Sequence, residues 1–513
     1  MTGDLRHVVV VGAGPAGLAA TRAAAEAGAR VTLLDAADGL GGQYWRHLPD
    51  ARLAGREHLL HHKWSTFGDL SDALRAHPAV TVVPSAQVWS LERLEDGVRL
   101  NVLVGEPDGV GRAALVLEPD ALVLATGAHD RTLPFPGWQL PGVYSAGAAQ
   151  ALAKGERVAV GRRVVVAGAG PFLLPVASSL LQTGASVLGV HEAAGLGALG
   201  RGWLSRPWEL AGAAGKAGEL AGYVRDLVRH RVPWRPGEAV IAAHGDGQVE
   251  AVTVARLDER WAPVPGTERQ IDADAVCVSH GFTPRLELAI AAGCALSPSR
   301  FVVVDDAQAT SVAGVWAAGE ITGIGGADAA LAEGAVAGTA AAGGDTGAGP
   351  ARAAGRTRTR ARGFAARIEA AHGIRGGWVG WLRDDTVVCR CEETTYGRIR
   401  EVAELTGSRE TRSVKLTSRA GLGPCQARMC GRTLQDLLGG PESPSGTAPT
   451  DAAPADAAPA VDRRPLVVPV RLGDLAALPQ PSVVVGVIVA PRTGMKSQRS
   501  RPQQSTNPVE KQT

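Results

Sequence analysis

A strand that hands over to a helix through a glycine-rich turn, found twice, constrains this chain more than any other feature. Residues 7–11 (HVVVV) are apolar and β-branched, the pattern of a strand buried on both faces. They run into Gly12-Ala13-Gly14-Pro15-Ala16-Gly17, an alanine-rich helical stretch to about Ala27, a stop at Gly28 and a strand over residues 30–35. The same order returns 156 residues later. Residues 163–167 lead into Gly168-Ala169-Gly170-Pro171, a helix pattern continues to Thr183-Gly184, and residues 186–191 read as a strand ending beside Glu192. Strand–helix–strand units of this kind build parallel sheets, so the repeat predicts an α/β chain with two Rossmann-like dinucleotide-binding domains.

The first turn carries a full fingerprint. Gly12 permits the tight turn, Gly14 lets backbone approach a pyrophosphate, and Gly17 lets the helix pack on the strand. Pro15 and Ala16 open the helix, whose free N–H groups and positive dipole end face the phosphates. Asp35 closes the second strand 18 residues beyond Gly17, placed to accept hydrogen bonds from a ribose diol. The second turn, Gly168-x-Gly170-x-x-Leu173, lacks the third small residue, and Leu173 is expected to push helix from strand. Glu192 there suits an unphosphorylated ribose and repels a 2′-phosphate, so NAD(H) is preferred to NADP(H) if either binds. A scaffold unit, or one holding another adenine nucleotide, is the other reading.

Composition narrows the class. Lys and Arg total 53 against 51 Asp and Glu, for a net charge of +2, which gives no reason to expect nucleic acid as a partner. No apolar run approaches the roughly 20 residues of a membrane helix. The chain enters its first strand without a signal-peptide pattern, so a cytoplasmic location is the expectation. Six Cys in 513 residues are no secreted disulfide framework.

Four of those cysteines crowd together. Cys389-x-Cys391 and Cys425-x4-Cys430 are separated by 33 intervening residues, and four thiolates are what a 2Fe-2S cluster requires. The Gly421-Leu422-Gly423-Pro424 approach lets N–H groups crowd cluster sulfurs. Structural zinc favours Cys pairs spaced by two to four residues, so Cys-x-Cys fits it poorly. Cys277 and Cys294 read as core residues. His58, His61 and His62 read as a solvated surface, with no acid to complete a zinc-protease motif. No general base stands out, and the catalytic residues are unassigned. His129 reads as a polar loop residue.

The domain reading follows. Residues 1–150 and 273–345 form one dinucleotide-binding domain, with residues 151–272 inserted as the second. Residues 346–384 read as a linker, with residues 340–363 either part of it or an exposed basic helix. Residues 385–438 read as a small helical 2Fe-2S domain, and residues 439–513 as a largely disordered tail in which residues 463–478 regain apolar residues that could pack on the body.

The first unit, the Ala125-Thr126-Gly127 turn and the Val315-Trp316-Ala317-Ala318-Gly319-Glu320 segment resemble the two-dinucleotide-domain flavoprotein oxidoreductases. The resemblance implies FAD in the first unit. It implies that Thr126 and Gly127 approach the cofactor, and that Gly319 and Glu320 contact the ribityl chain before a helix opens around Gly325–Ala329. Gly42 and Gln43 fit the loop wrapping the pyrophosphate, and Val88 the strand that meets the adenine. Members that reduce disulfides carry a Cys pair near the flavin; here no Cys precedes Cys277. The late segment (VVCRCEETTYGRI…GPCQARMCG) resembles bacterioferritin-associated ferredoxin. Together the two resemble the flavoprotein subunits of opine oxidases, hydrogen cyanide synthase and D-hydroxyproline dehydrogenase, and the large subunit of heterotetrameric sarcosine oxidase. That resemblance implies an electron-relaying subunit. A separate FAD subunit would oxidise the C–N bond of an amine or amino acid, and a small 2Fe-2S subunit would complete the assembly. A stand-alone NADH-dependent flavin/iron–sulfur reductase and a non-catalytic regulatory or assembly subunit are the alternatives.

Overall fold

The computed structural model describes residues 5–49, 52, 55, 57–209, 214–439, 464 and 466–476. The valine run forms β1 (His7–Val11), which passes through the first glycine turn into α1 (Pro15–Glu26). β2 (Arg30–Leu34) returns parallel to β1, and α2 (Trp64–Ala76) leads to β3 (Val80–Val83), parallel to β2. An antiparallel sheet of β4 (Ala86–Leu94), β5 (Gly97–Val104) and β6 (Ala113–Leu117) follows, and β7 (Ala121–Leu124) lies against the free side of β1.

β8 (Ala128–Asp130) crosses into the second unit. That unit holds β9 (Val143–Ser145), α3 (Ala146–Gly155), β10 (Arg163–Gly168), α4 (Leu173–Gln182), β11 (Ser186–Glu192), α5 (Leu196–Leu204), α6 (Ala214–Arg229) and β12 (Trp234–Pro236). Antiparallel strands β13 (Glu238–His244), β14 (Ala251–Arg256) and β15 (Arg269–Asp272) form a second sheet beside it. β16 (Ala275–Ser279) joins the parallel sheet, and β17 (Phe282–Pro284) crosses back antiparallel to β8. α7 (Glu287–Ala292), β18 (Val315–Ala317) and α8 (Gly326–Ala341) complete the first unit, before α9 (Gly349–His372). The cysteine module holds β19 (Val387–Cys389), β20 (Thr394–Thr395), α10 (Tyr396–Thr406), α11 (Thr411–Ser418) and α12 (Gly431–Gly439); α13 (Leu472–Ala476) follows.

The two parallel sheets share one plan. Their orders are β18-β7-β1-β2-β3 and β9-β16-β10-β11-β12, with the glycine-turn strand at the centre of each. Their inner strands are buried on both faces, which is why they read as unbroken apolar runs. In the first unit α1 and α8 cross at backbone contact. A Cβ on Gly334 would meet Ala16 O at 2.0 Å, and one on Gly338 would meet Ala20 O at 2.0 Å.

The structure moves the expected boundaries. The cuts at 150 and 272 fall inside the second unit, because β9 and β16 pair within its sheet. The chain crosses instead at β8 and β17, short paired strands whose three residues carry little sequence signal. Residues 346–384 are not a bare linker. Residues 349–372 form α9, and three of its six arginines are paired: Arg358 with Asp306 at 2.8 Å, Arg362 with Glu333 at 3.1 Å and Arg367 with Glu209 at 3.0 Å. Of the expected tail, residues 466–476 pack on the first unit, with Val467 N donating to Trp89 O at 2.8 Å and Arg112 paired with Asp474 at 2.7 Å. Residues 440–463 and 477–513 lie outside the described residues.

Candidate dinucleotide cleft and cysteine cluster

The first glycine turn is built by steric exclusion. Gly12 sits at φ +106°, and a Cβ there would lie 2.2 Å from Ala125 O. A Cβ on Gly17 would lie 1.7 Å from Gly12 O, so no larger residue fits between α1 and β1. Gly14 differs: the nearest heavy atom to its Cβ position is Gly42 Cα, at 4.0 Å. It faces open space, as a turn that admits a pyrophosphate must. Gly14 caps α1 and Pro15 occupies its first turn, so the helix N-terminus points into the same space. Gly42 closes the far side; a Cβ on it would meet Gly14 Cα at 2.8 Å.

A cleft of about 2580 Å³ brings these residues together. Gly12, Gly14, Pro15, Ala16, Asp35, Gly42, Gln43, Thr126, Gly127, Gly319 and Glu320 all line it. Gly17 lies beneath, in the helix–strand contact. Asp35 takes N–H groups from Ala13 and, at 2.7 Å, Ala37, which leaves part of its carboxylate facing the cleft. Burial raises its pKa, while those N–H bonds pull the other way. Thr126 Oγ1 donates to Arg285 O at 2.8 Å, tying the turn to the crossing strand. Burial pushes the Glu320 carboxyl up to about 7, and its Oε1 accepts from Gly326 N, the first residue of α8, at 3.1 Å. Val88 is not among the lining residues: its side chain is 6 % exposed and packs in the core of the first unit, while Val82 and Pro84 line the cleft.

The second turn opens on the same cleft. Gly168 and Gly170 have positive φ, and a Cβ on Gly168 would meet Ser279 O at 1.7 Å, whereas nothing lies within 4 Å of one on Gly170. Leu173 is buried, and α4 begins only there, five residues after Gly168, whereas α1 begins three residues after Gly12. Glu192 is 3 % exposed. Its carboxylate takes the N–H groups of Gly170 and Ala194, both at 2.9 Å, and meets His372 Nδ1 of α9 at 3.2 Å.

Of the three histidines read as surface, His58 and His62 are exposed, and His62 meets Tyr223 Oη at 2.6 Å across the cleft. His61 differs: it is buried, its ring nitrogens against Glu57 O at 2.8 Å and Arg46 O at 2.6 Å. His129 Nε2 donates to Arg428 O at 3.2 Å.

In the cysteine module β19 and the loop before α12 bring four thiols together. Cys389 is hydrogen-bonded to Cys430, and Cys391 to Cys425. Gly421 N donates to Cys389 Sγ at 3.3 Å, and with Cys430 it draws that thiol down to about 6. A Cβ on Gly423 would sit 2.3 Å from Cys391 Cβ, so only glycine lets the loop pass. Among the described residues no three His, Cys, Asp or Glu converge as ligands of one ion. Two sulfur pairs fit a two-iron cluster better than a single tetrahedral ion. The module docks on the crossing strands. Arg131 pairs with Asp436, Arg428 with Glu287 at 3.0 Å, and the Arg390 guanidinium lies 5.0 Å from the Trp138 ring centroid.

Comparison with known proteins agrees with this geometry. Residues 6–334 match the pyridine nucleotide-disulphide oxidoreductase family, and residues 387–439 match the BFD-like 2Fe-2S binding domain. The chain is 33 % identical to an opine oxidase subunit from Rhizobium meliloti over 499 residues, covering 93 % of this chain and 89 % of that one. It is 32 % identical to the hydrogen cyanide synthase subunit HcnB of Pseudomonas aeruginosa over 450 residues, covering 82 % and 90 %. In fold it is similar to L-proline dehydrogenase from P. horikoshii, with a TM-score of 0.60 and 18 % identity, covering 92 % and 80 %. Among the described residues no helix is long and apolar enough to cross a membrane. The chain is an FAD-dependent oxidoreductase of the pyridine nucleotide-disulphide oxidoreductase family, extended by a 2Fe-2S domain.

Proposed function

We propose that this chain is the electron-relaying subunit of a heteromeric dehydrogenase or oxidase acting on the C–N bond of an amine or imino acid of the opine, hydroxyproline or glycine type. FAD is assigned to the part of the cleft at the first glycine turn, with Gly12, Gly14, Pro15, Ala16 and Gly42 around the pyrophosphate and Asp35 at the adenosine ribose. Gln43, Thr126, Gly127, Gly319 and Glu320 line the rest. Cys389, Cys391, Cys425 and Cys430 are the assigned cluster ligands. Bound there, the flavin supplies two-electron chemistry and the cluster one-electron carriage.

One observation carries this reading. No cysteine precedes Cys277, so the flavin domain has no dithiol of its own, while the four gathered thiols belong to a module docked on the crossing strands. His129, two residues past Gly127 on the cleft wall, bonds Arg428 O between Cys425 and Cys430, so the two sites share a direct contact. The relatives are named as subunits, which supports partners: a second FAD subunit for the amine and a small 2Fe-2S subunit. The cytoplasm is the proposed location.

Anaerobic absorbance titration with amines and amino acids, with and without the partner subunits, tests it. Bleaching of the flavin by an amine only in the assembled complex is the expected result. Rapid bleaching of the isolated chain by NADH would overturn it in favour of a stand-alone reductase. In a separate check, Cys425→Ser is expected to lose most of its bound iron while keeping FAD; unchanged iron content would refute the ligand set.

A further inference from the structure

α3 carries a buried ammonium group that none of the assignments above uses. Lys154 is 7 % exposed and lines the cleft. Its Nζ donates to Tyr44 O at 3.2 Å and lies 5.7 Å from the Tyr44 ring centroid. The neighbouring lysines meet carboxylates: Lys63 pairs with Asp328, and Lys216 with Glu219 at 2.9 Å. Among the described residues Lys154 has no carboxylate at ion-pair distance, and burial alone lowers its pKa to about 8. A buried cation held by a carbonyl and a ring keeps N–H groups free for an anion.

The position of Lys154 along the cleft says which anion. Tyr44 follows Gly42 and Gln43, and Gly42 packs on Gly14. Tyr44 feels the charge of Glu219 in α6 first, and also that of Asp328 in the first turn of α8. With the adenosine ribose at Asp35 and the pyrophosphate at Gly14, the remaining part of FAD must extend past Glu320 and the start of α8. That is the end where Tyr44 and Lys154 stand.

We propose that Lys154 supplies the positive charge at the flavin-ring end of the cleft, where it favours negative charge on the ring's pyrimidine edge. This rests on the assignment of FAD to the first glycine turn. The α8 N-terminus reinforces the same sign of field.

Sulfite titration of the FAD-loaded full chain tests it, because sulfite adds to the flavin ring and leaves a negative charge there. The readout is bleaching of flavin absorbance, not turnover. Lys154→Met, close in length and apolar, is expected to keep FAD and to bind sulfite about tenfold more weakly or worse, the factor that about 1.4 kcal/mol of lost charge interaction gives. Lys154→Arg is expected to stay within about threefold of the parent, because it keeps the charge. Unchanged sulfite affinity in FAD-loaded Lys154→Met overturns the proposal, as does a parent chain that binds FAD but no sulfite. If benzoate perturbs the flavin spectrum of the parent but not of Lys154→Met, while sulfite affinity is equal in both, the ammonium serves a substrate carboxylate, and the proposal also falls. A parent chain that takes up no FAD overturns the cleft assignment itself. Should Lys154→Met not accumulate, Lys154→Gln is read by the same criteria.

Discussion

The two glycine turns share one plan and differ at three places. In both, the first glycine is locked by a carbonyl from a neighbouring strand, Ala125 in one and Ser279 in the other. In both, an acid at the end of the next strand takes two backbone N–H groups. The first turn keeps Gly17, an immediate helix start and a partly exposed Asp35. The second has Leu173, a helix start two residues later, and a Glu192 covered by His372. The turns therefore differ less in their fingerprint glycines than in what covers the acid: Asp35 is partly exposed, whereas Glu192 is buried against His372.

Gly17→Val would break the comparison most severely. Its Cβ would overlap Gly12 O, at a cost above about 4 kcal/mol, and no folded chain is expected on gel filtration. Gly14→Val and Gly170→Val form the informative pair. Gly14→Val is expected to fold within about 1 kcal/mol of the parent but to retain no FAD after reconstitution. Gly170→Val should cost about 1–2 kcal/mol, because φ there is +108°, yet keep its full flavin content. Equal flavin in both variants would erase the distinction drawn between the turns. His372→Ala is expected to lower stability by about 1–2 kcal/mol in urea unfolding by removing the partner of Glu192 and of Trp203 Nε1.

The smallest effect is a pH slope. His280, beside the second turn, is buried, and burial with the Arg131 charge holds its pKa down to about 3. The unfolded chain protonates near pH 6.5 and the folded one does not. Stability contributed by the neutral ring is therefore present above that pH and falls as pH drops towards 3, at no more than about 1.4 kcal/mol per pH unit. Urea midpoints at pH 7 and 5.5 should differ less in His280→Leu than in the parent.

Features carried by local sequence were legible: the strand–turn–helix order, the positive-φ glycines and the four clustered cysteines. The helix expected around Gly325–Ala329 begins at Gly326. Features created by distant chain segments were not. β8 and β17 are each three residues long, so the domain crossing had no periodicity to reveal it. Arg358, Arg362 and Arg367 of α9 look like part of a solvated face until Asp306, Glu333 and Glu209 meet them. Val88 shares a strand pattern with residues that face either side, and register alone turned it inward. Nothing near Lys154 in sequence marks it, because Tyr44 lies 110 residues away.

α9 has a mechanical consequence. At 24 residues it is about 36 Å long. Arg362 fastens its middle to the first unit through Glu333, and His372 fastens its end to the second through Glu192. A rod pinned on both bodies works as a strut. Twisting one unit against the other would have to tear out a buried carboxylate contact, and the cysteine module, which begins just beyond the strut, would be carried along with the motion.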